Sequence, residues 1–422
     1  MIYHYLCTNK NDEIIDYLQN TINVKLTHST NYFDYDFNNG FRIKFKDTTK
    51  KYHLIILDKN TRFIYYKQDI LPQNDVIYVY PKKYYIEYEI ILLDIIDEGL
   101  YNSIPLAVVT FAPENKNILF LLSNEEKPGM GDAIAWMTAI YKFKLKHPTI
   151  NVYICTSYDD IDNLIKEKYN CFNFIHHNEK NNYSFYATYL IGCFFNDPLK
   201  LWCPKNYRDI SLTEMGYSIL GLEYDNNFSL DLHMDYSEEE PYVCISTHGS
   251  AIYKEWLFKN GWEKIIEYLN ECGYKVYVID AEETNRQGPL CETKIPHNAI
   301  NKTGKISLIE RAKLISGADF FIGISSGLSW LAWACKTPVI LISGFTSPTT
   351  EFNTPYRIIN TNVCNSCWND HSIEWNMNET VCPRNKNPFS SSFIECSTKI
   401  GIYSIINMIQ KIPIFKERMK RC

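Results

Sequence analysis

The fold is decided by the stretch from Ser325 to Ile342, which reads SSGLSWLAWACKTPVILI. Its middle, from Leu328 to Lys336, is predicted to be a helix, and the small residues before it are predicted to form a turn. The all-apolar run from Pro338 to Ile342 is predicted to be a strand, and such runs are typical of parallel sheets covered on both faces. Another apolar strand is predicted just upstream, at Asp319 to Gly323. The pattern therefore indicates a strand–helix–strand unit with a parallel sheet.

The same alternation of strands and helices occurs in two separate parts of the chain. The later series also contains predicted strands at 242–246 and 275–280 and helices at 262–272 and 307–316. The earlier series contains a strand at 118–122, a helix at 132–146 and a strand at 151–155. We expect an α/β protein with two Rossmann-like halves that face a cleft, where ligands bind at the carboxyl ends of the strands.

The length of 422 residues predicts more than one domain. Alternating apolar residues and a turn at Asn39-Gly40 indicate an antiparallel β-rich module at the N-terminus, for which an interaction or assembly role is predicted. The predicted divisions are a β-rich module at 1–110, Rossmann-like domains at 111–235 (acceptor side) and 236–360 (nucleotide-sugar side), a cysteine-rich segment at 361–398 and a closing helix at 399–422.

Composition and charge argue against several classes of partner. The hydrophobic fraction is 45% and the formal net charge is −6, which gives no general electrostatic reason to expect nucleic acid or an anionic membrane as partner. The first twenty residues lack a secretory signal pattern, and Asp94 and Asp97 interrupt the apolar run that begins at Ile90. We expect a cytoplasmic protein, whose 14 cysteines would be mostly reduced.

The first candidate site follows the predicted strand at 118–122, where residues 128–132 read PGMGD. Gly129 and Gly131 would let the backbone approach a ligand closely, and the helix behind them presents free amides to an anion. Asp132 could act as a general base toward a hydroxyl group. The alternative is that Asp132 only caps its helix.

The second candidate site is the turn that contains Ser325, Ser326, Gly327 and Leu328, which offers amides and hydroxyls to phosphate or sugar groups. An ordinary serine-capped helix is the alternative. Thr346 lies in the loop after the next strand. Because both loops follow strands of one predicted sheet, they favour a nucleotide-sugar site at its edge.

A third candidate site lies after the strand at 242–246, where Thr247 is followed by Lys254. A lysine there could neutralise the departing diphosphate of a nucleotide sugar. The alternative is a solvated surface lysine, which is the more common situation.

Four cysteines form the strongest pattern, because Cys364, Cys367, Cys382 and Cys396 have the spacing C-x2-C-x14-C-x13-C. Four thiolates in a reduced compartment suit one tetrahedral structural site for zinc or iron, and spacing does not choose between the two metals. The surrounding segment is rich in polar and turn residues and would gain its stability from the metal. The alternative is four buried thiols without a metal.

Together these motifs resemble those of bacterial autotransporter heptosyltransferases, which are similar to the lipopolysaccharide heptosyltransferases. The resemblance rests on residues 326–334, 338–345 and 351–352, on CNSCW at 364–368, and on Cys382-Pro383 and FIECS at 393–397. It runs from about residue 117 to the C-terminus, with a looser match before that.

The resemblance implies a GT-B fold and transfer of heptose from ADP-heptose to serine hydroxyls of an autotransporter adhesin before its export. It implies a β-solenoid passenger as acceptor, iron on the four cysteines and a homo-oligomeric ring. Asp132 would be the catalytic base, while Lys254 and the turn 326–328 would hold the diphosphate.

One departure from the lipopolysaccharide enzymes bears on the sugar. Those enzymes have Asp-Thr-Gly where this chain has Ser325-Ser326-Gly327, and a histidine where Trp330 stands. This favours the protein-modifying branch. A GT-B transferase that adds a hexose to a glycan, and a non-catalytic binding or assembly protein with a metal finger, are the alternative functions.

Overall fold

The computed structural model describes residues 2–6, 25–122, 128–286, 292–374, 382–387, 390 and 392–420. Ten strands form the N-terminal module: β1 Ile2–Tyr5, β2 His28–Ser29, β3 Phe33–Asp36, β4 Phe41–Phe45, β5 Tyr52–Asp58, β6 Ile64–Ile70, β7 Val76–Tyr80, β8 Tyr88–Asp97, β9 Leu100–Tyr101 and β10 Ala107–Thr110.

The module contains two sheets, with strand orders β1-β7-β4-β3-β2 and β10-β8-β5-β6, and β9 pairs with β8. The prediction of a purely antiparallel module is wrong at one place, because β1 pairs with β7 in parallel. Local alternation of apolar residues reports which face a strand buries, and it carries no information on the direction of the partner strand.

The module is joined to the next domain through polar contacts around Asn38. Its side-chain amide donates to the carbonyl of Phe185 at 2.8 Å, and Thr188 donates to its Oδ1 at 2.8 Å. The neighbouring Asp36 and Arg42 form a fully buried ion pair with a hydrogen bond of 2.7 Å. The module therefore packs directly against the first α/β domain.

The first α/β domain contains β11 Asn117–Leu121, α1 Met130–Lys146, β12 Asn151–Cys155, α2 Asp159–Lys166, β13 Phe172–Phe174, β14 Ala187–Leu190 and α3 Leu212–Ile219. Its strands form one parallel sheet in the order β13-β12-β11-β14. The predicted strand–helix–strand start is confirmed, and α1 begins two residues earlier than predicted.

The second α/β domain contains β15 Tyr242–Ile245, α4 Gly261–Glu271, β16 Lys275–Val278, β17 Thr284–Arg286, β18 Glu292–Lys294, β19 Ile300–Asn301, α5 Leu308–Gly317, β20 Phe321–Ile324, α6 Gly327–Ala334, β21 Val339–Ile342 and β22 Arg357–Ile358. Its main sheet is parallel, in the order β19-β16-β15-β20-β21-β22, and β17 and β18 form an antiparallel pair beside it. The two predicted Rossmann-like halves are therefore present as two parallel sheets.

Helix caps explain where some of these elements begin. Ser307 is the N-cap of α5, and its hydroxyl accepts a hydrogen bond of 3.2 Å from the Glu310 amide. The Glu310 carboxylate in turn accepts from the Ser307 amide at 3.3 Å, which completes a capping box.

The end of the chain corrects another expectation. A short helix, α7 Glu395–Thr398, ends the cysteine segment. In the described part of 399–422, where one closing helix is predicted, there are two: α8 Ile402–Ile409 and α9 Pro413–Met419. Proline favours the first turn of a helix, so Pro413 starts α9 and separates it from α8. No helix in the described ranges is long and apolar enough to cross a membrane.

The described residues form two large hydrophobic cores of unequal size, and a third, smaller cluster lies at the cysteine segment. The larger core includes residues of the N-terminal module, the first α/β domain and the inner helices of the second, among them Leu331. The other core lies on the far side of the second sheet, where Val243 and Ile340 pack with Ile405 and Phe415 of the C-terminal helices. The second α/β domain is therefore completed by the last two helices.

Candidate active site

The predicted site residues all follow strands whose carboxyl ends face the space between the two domains. Thr247 comes after β15, Ser325 after β20 and Thr346 after β21, whereas Asp132 lies at the start of the helix that follows β11. The topology of parallel sheets brings such loops together, and it places the candidates on both sides of one cleft.

Asp132 is the third residue of α1, and Gly129 is the N-cap of that helix. The Asp132 carboxylate accepts a hydrogen bond from the Gly129 amide. Burial raises the pKa of Asp132, while Lys254 and that hydrogen bond lower it in part. Asp132 is therefore not the cap residue, although it helps to stabilise the helix start, and a half-buried carboxyl with a raised pKa suits a general base.

Lys254 lies opposite Asp132, in the loop after β15, and ends the 3-10 helix Ile252–Lys254. Its ammonium group donates to Ser250 Oγ at 3.0 Å. Burial lowers the pKa of Lys254, and the carboxylates of Asp132 and Glu351 oppose that effect. Since the side chain is half-buried and interacts electrostatically with two carboxylates, the alternative of an ordinary solvated lysine does not describe it.

Glu351 belongs to the site, although the sequence analysis assigns it no role there. Its Oε1 accepts a hydrogen bond of 2.9 Å from Thr346, and its Oε2 pairs with Arg357. Arg357 also donates to the Phe352 carbonyl at 3.0 Å, so it holds the loop after β21 in place. Glu351 is 6% exposed and has these partners, which fix the carboxylate that faces Lys254.

The turn before α6 offers polar groups to a ligand. Ser326 is the N-cap of α6, and within the described part of the chain its buried hydroxyl has no hydrogen-bond partner. Ser325 Oγ and Thr346 Oγ1 lie 3.2 Å apart and connect this turn to the Glu351 network. Gly327 and Leu328 begin the helix, so their amides are free to meet an anion.

Asp280 organises the loop that contains Thr247, and the sequence did not single it out. Its carboxylate accepts hydrogen bonds from the Ser246 hydroxyl at 2.7 Å and from the amide and hydroxyl of Thr247 at 2.8 and 2.9 Å. The Thr247 hydroxyl therefore donates inward, to the protein, and has only its lone pairs for a ligand. The position of Asp280 just after β16 is the signal that could have identified it.

A cavity of about 860 Å³ lies between these loops and is large enough for a nucleotide sugar. The first domain contributes Met130, Tyr158 and Asp160 to its wall. The second domain contributes the rest of the wall: His248–Ser250, Asp280–Glu282, Thr284–Asn285, Gly304–Leu308, Arg311 and Ser326–Leu328. A ligand there would contact both domains and the amides of the turn before α6.

Two of the predicted glycines serve the packing of α1 against α6. A Cβ atom on Gly131 would lie 2.7 Å from Trp330 Cδ1, and one on Gly327 would lie 2.7 Å from Met130 Cε. Both values are far below ordinary contact distances, so the two helix starts approach each other as closely as they do only because both positions lack side chains. Gly129 is constrained in a similar way, since a Cβ there would lie 2.7 Å from Asp132 Oδ2.

The four cysteines of the predicted metal site lie in one neighbourhood. Burial, together with the neighbouring Cys367, Cys364 and Cys382, raises the pKa of Cys396 to about 12. Cys367, Cys382 and Cys396 also belong to one hydrophobic cluster. Arg384 donates a hydrogen bond to the Cys367 sulfur. Within the described ranges, however, no group of three or more His, Cys, Asp and Glu side chains is arranged to hold a metal ion.

The cysteine segment (residues 361–398) packs directly against the loops that contain Lys254 and Glu351. Cys367 and Cys396 share a hydrophobic cluster with Tyr253 and Phe345. Ser397 accepts a hydrogen bond of 2.8 Å from the Leu257 amide, three residues after Lys254. The segment therefore supports the positions of the loops that contain Lys254 and Glu351.

The sequence of this chain is similar to those of known glycosyltransferases. The profile of glycosyltransferase family 9 (heptosyltransferase) matches residues 215–380. The autotransporter heptosyltransferase TibC of Escherichia coli O78:H11 is 32% identical over 381 residues, which cover 90% of this chain and 89% of TibC. The autotransporter heptosyltransferase Aah of Escherichia coli is 32% identical over 380 residues, which cover 90% of this chain and 92% of Aah.

The fold is also similar to that of TibC in two solved structures. The crystal structure of TibC, described as an iron-containing dodecameric glycosyltransferase from enterotoxigenic E. coli H10407, superposes with a TM-score of 0.82 at 29% identity over 92% of this chain and 98% of TibC. The structure of TibC in complex with ADP-D-beta-D-heptose superposes with a TM-score of 0.81 at 30% identity over 92% of this chain and 97% of TibC. The chain therefore belongs to the autotransporter heptosyltransferases, a group of glycosyltransferases related to family 9.

Proposed function

We propose that this protein transfers heptose from ADP-heptose to serine hydroxyls of an autotransporter passenger of the β-solenoid type. The observation that carries the proposal is the electrostatic interaction between Asp132 and Lys254, which lie in different domains beside a cavity lined by both. A base on one side and a cation on the other are the two groups that the proposed sugar transfer uses, one for the acceptor hydroxyl and one for the departing diphosphate. The structure of TibC with an ADP-heptose supports the choice of donor.

In the proposed reaction the Asp132 carboxylate takes the proton of the serine hydroxyl. The serine oxygen then forms a bond to the anomeric carbon of the heptose while the bond from that carbon to the diphosphate oxygen breaks. ADP leaves with the bonding electron pair. Lys254 and the amides at Ser326–Leu328 stabilise the charge that develops on the diphosphate.

The other residues predicted to bind the ADP-heptose donor are supported by the structure to different degrees. The free hydroxyl of Ser326 and the lining position of Gly327 and Leu328 favour contact with the diphosphate. Thr247 and Thr346 are held by Asp280 and Glu351, so we assign them to shaping the loops as well as to binding. Ser325 joins the two loops through Thr346.

We also propose that Cys364, Cys367, Cys382 and Cys396 hold one structural metal ion. Four clustered thiols are a donor set that suits iron or zinc, and the iron in TibC favours iron here. The metal would cross-link the cysteine segment, which has little hydrophobic core of its own, and would take no part in the transfer.

Assembly into a homo-oligomer is the corresponding proposal for quaternary structure. TibC is dodecameric, and the N-terminal module exposes several large apolar side chains that could be covered by other subunits: Phe63, Ile64, Leu71, Ile96, Leu100, Ile104 and Val108. We place the reaction in the bacterial cytoplasm, before export of the passenger, where the thiols would stay reduced.

The test is incubation of the purified protein with ADP-heptose and a candidate passenger, followed by intact mass measurement and mapping of the modified residues. Heptose on serine supports the proposal, and loss of the product with Asp132→Asn assigns it to this site. Addition of a hexose from another donor to a glycan would instead favour the second transferase function. Binding of ADP-sugars without any turnover would favour a non-catalytic role.

A further inference from the structure

The loop between β14 and α3 (residues 191–211) extends from the catalytic base to the cysteine segment. Near its start, Ile191 and Phe194 are buried in the same hydrophobic core as Ala133 of α1. The Asp132 carboxylate there adds to the effect of burial in raising the pKa of the Cys193 thiol. Near its end lies Arg208, which is 8% exposed. The acceptor-side loop is therefore next to Asp132 at one end and next to the other domain at the other end.

Arg208 makes three hydrogen bonds to the backbone of the cysteine segment. Its Nε donates to the Trp368 carbonyl at 2.7 Å, its Nη1 to the Ile373 carbonyl at 3.1 Å and its Nη2 to the Cys367 carbonyl at 3.3 Å. A planar guanidinium can satisfy three separate acceptors in one fixed orientation, and a lysine ammonium on a flexible stem cannot reproduce that arrangement.

Asn369 extends this contact to the loop that contains Glu351. Its amide donates to the Arg208 carbonyl at 2.6 Å, while its Oδ1 accepts from the Ser347 amide and the Thr350 hydroxyl, both at 2.9 Å. One side chain thus binds the acceptor-side loop and the donor-side loop 343–352 together.

These contacts connect the loops around the site into a closed series of neighbours, which we call the circuit. Asp132 neighbours the loop 191–211, Arg208 and Asn369 join that loop to 343–352, and Glu351 of the latter faces Lys254. The cavity wall contains neither Arg208 nor Asn369. Breaking the circuit should therefore alter the relation between base and donor more than the binding of the donor itself.

We propose that Arg208 is a positioning residue, which fixes the acceptor-side base relative to the lysine and diphosphate on the donor side by bracing the loop 191–211 against the cysteine segment. The expected effect on kcat rests on the proposed transfer function. The brace itself rests only on the hydrogen bonds of Arg208. Misplacement of reacting groups by about 1 Å can lower a rate about 100-fold, so a loosened brace acts on kcat.

The test compares Arg208→Lys and Arg208→Ala with a matched control, Asp209→Asn. Asp209 contacts the same segment through His371 at 2.6 Å, but both side chains are about half exposed, so this contact should matter little. Three quantities are measured for each full-length variant: the affinity for ADP, kcat for transfer, and hydrogen exchange of the loop 343–352.

We expect kcat to fall at least about tenfold in Arg208→Ala and less in Arg208→Lys, with ADP affinity within about twofold of wild type. Exchange in the loop 343–352 should increase in both variants and stay unchanged in Asp209→Asn. Arg208→Lys keeps the charge and supplies the test if Arg208→Ala does not fold. Wild-type kcat in the Arg208 variants, or a parallel loss of ADP affinity, would overturn the positioning role.

Failure of the underlying function has a different signature. If the wild-type protein transfers no heptose, the proposed function is wrong, and the exchange measurement still decides about the brace. Unchanged exchange in the loop 343–352 of the Arg208 variants would then refute it, and increased exchange would support it.

Discussion

The turns before α1 and α6 meet in the cleft and are built alike, but they present different chemical groups to it. In α1 the third residue is Asp132, whose buried carboxyl faces Lys254 of the other domain. In α6 the third residue is Ser329, which is fully buried and donates inward to the Ile324 carbonyl at 2.6 Å. The first turn thus contributes a charge to the cleft, while the second turn contributes amides and the hydroxyl of Ser326.

The difference shows that a helix start near a cleft does not define a function by itself. Both turns need glycine for their close approach, Gly131 against Trp330 and Gly327 against Met130. Only the residue at the third helical position distinguishes the proposed base from a structural hydroxyl. The predictions below test this contrast, in order of decreasing effect.

Asp132→Asn should have the largest effect, because it removes the proposed base and keeps the shape of the side chain. We expect kcat to fall about 10²- to 10⁴-fold while ADP binding stays intact. The matched control is Ser329→Ala at the equivalent position of α6, which should lower stability by roughly 1 kcal/mol without a comparable loss in kcat. Equal losses of kcat in the two variants would contradict the contrast.

Lys254→Met should come next, since it removes the cation that faces both Asp132 and Glu351. We expect a fall in kcat of about 10²- to 10³-fold, the range for loss of one group that stabilises charge in the transition state. Turnover assays with ADP-heptose give this value. A normal kcat would mean that the amides of the second turn suffice for the diphosphate.

Gly327→Ala tests whether the close approach of the two turns matters. The added methyl group would meet Met130 Cβ at 2.9 Å and the Gly131 amide nitrogen at 3.2 Å, so one helix must shift. We expect about 1–3 kcal/mol lower stability in a denaturant titration. Gly401→Ala is the control, because a Cβ there meets nothing within 4 Å.

Ser326→Ala should have a smaller effect on the donor side. If the free hydroxyl binds the diphosphate, its loss should weaken ADP affinity by about 0.5–1.5 kcal/mol, measured by calorimetry. Unchanged affinity would leave the second turn with its amides alone.

The pH dependence of kcat should show the smallest effect, but it reports directly on the ionisation of Asp132 and Lys254. Burial raises the pKa of Asp132, so the rate should rise with pH through a value above that of an ordinary aspartate as the base loses its proton. Burial lowers the pKa of Lys254, so the rate should fall again below the range of an ordinary lysine as the cation is lost. Lys254→Arg should abolish the alkaline fall, since arginine keeps its proton.

The parts of the fold that follow from local pattern were predictable from the sequence. The apolar strands such as 338–342 and the helices between them were found with boundaries within about two residues, because buried parallel strands leave a continuous apolar signal. The direction of β1 against β7, and the break at Pro413 between the last helices, depend on tertiary context or on a single residue.

The site was only partly predictable for the same reason. Asp132 and Lys254 could be named from a motif and a resemblance, but their proximity depends on how two domains pack. Asp280, Glu351 and Arg208 act through contacts between distant segments, such as the 160 residues that separate Arg208 from Trp368. No local pattern encodes such a contact, although the position of Asp280 at a strand end was a usable hint.

The core on the far side of the second sheet has a consequence for biosynthesis. It is built from residues as far apart as Val243 and Phe415, and Ile405 and Ile409 of α8 fill its centre. A nascent chain cannot bury the outer face of this sheet until the ribosome has passed Phe415 and released that segment from its exit tunnel. The second α/β domain should therefore be the last part to mature, so a polypeptide stalled before that point would expose apolar surface to chaperones and proteases.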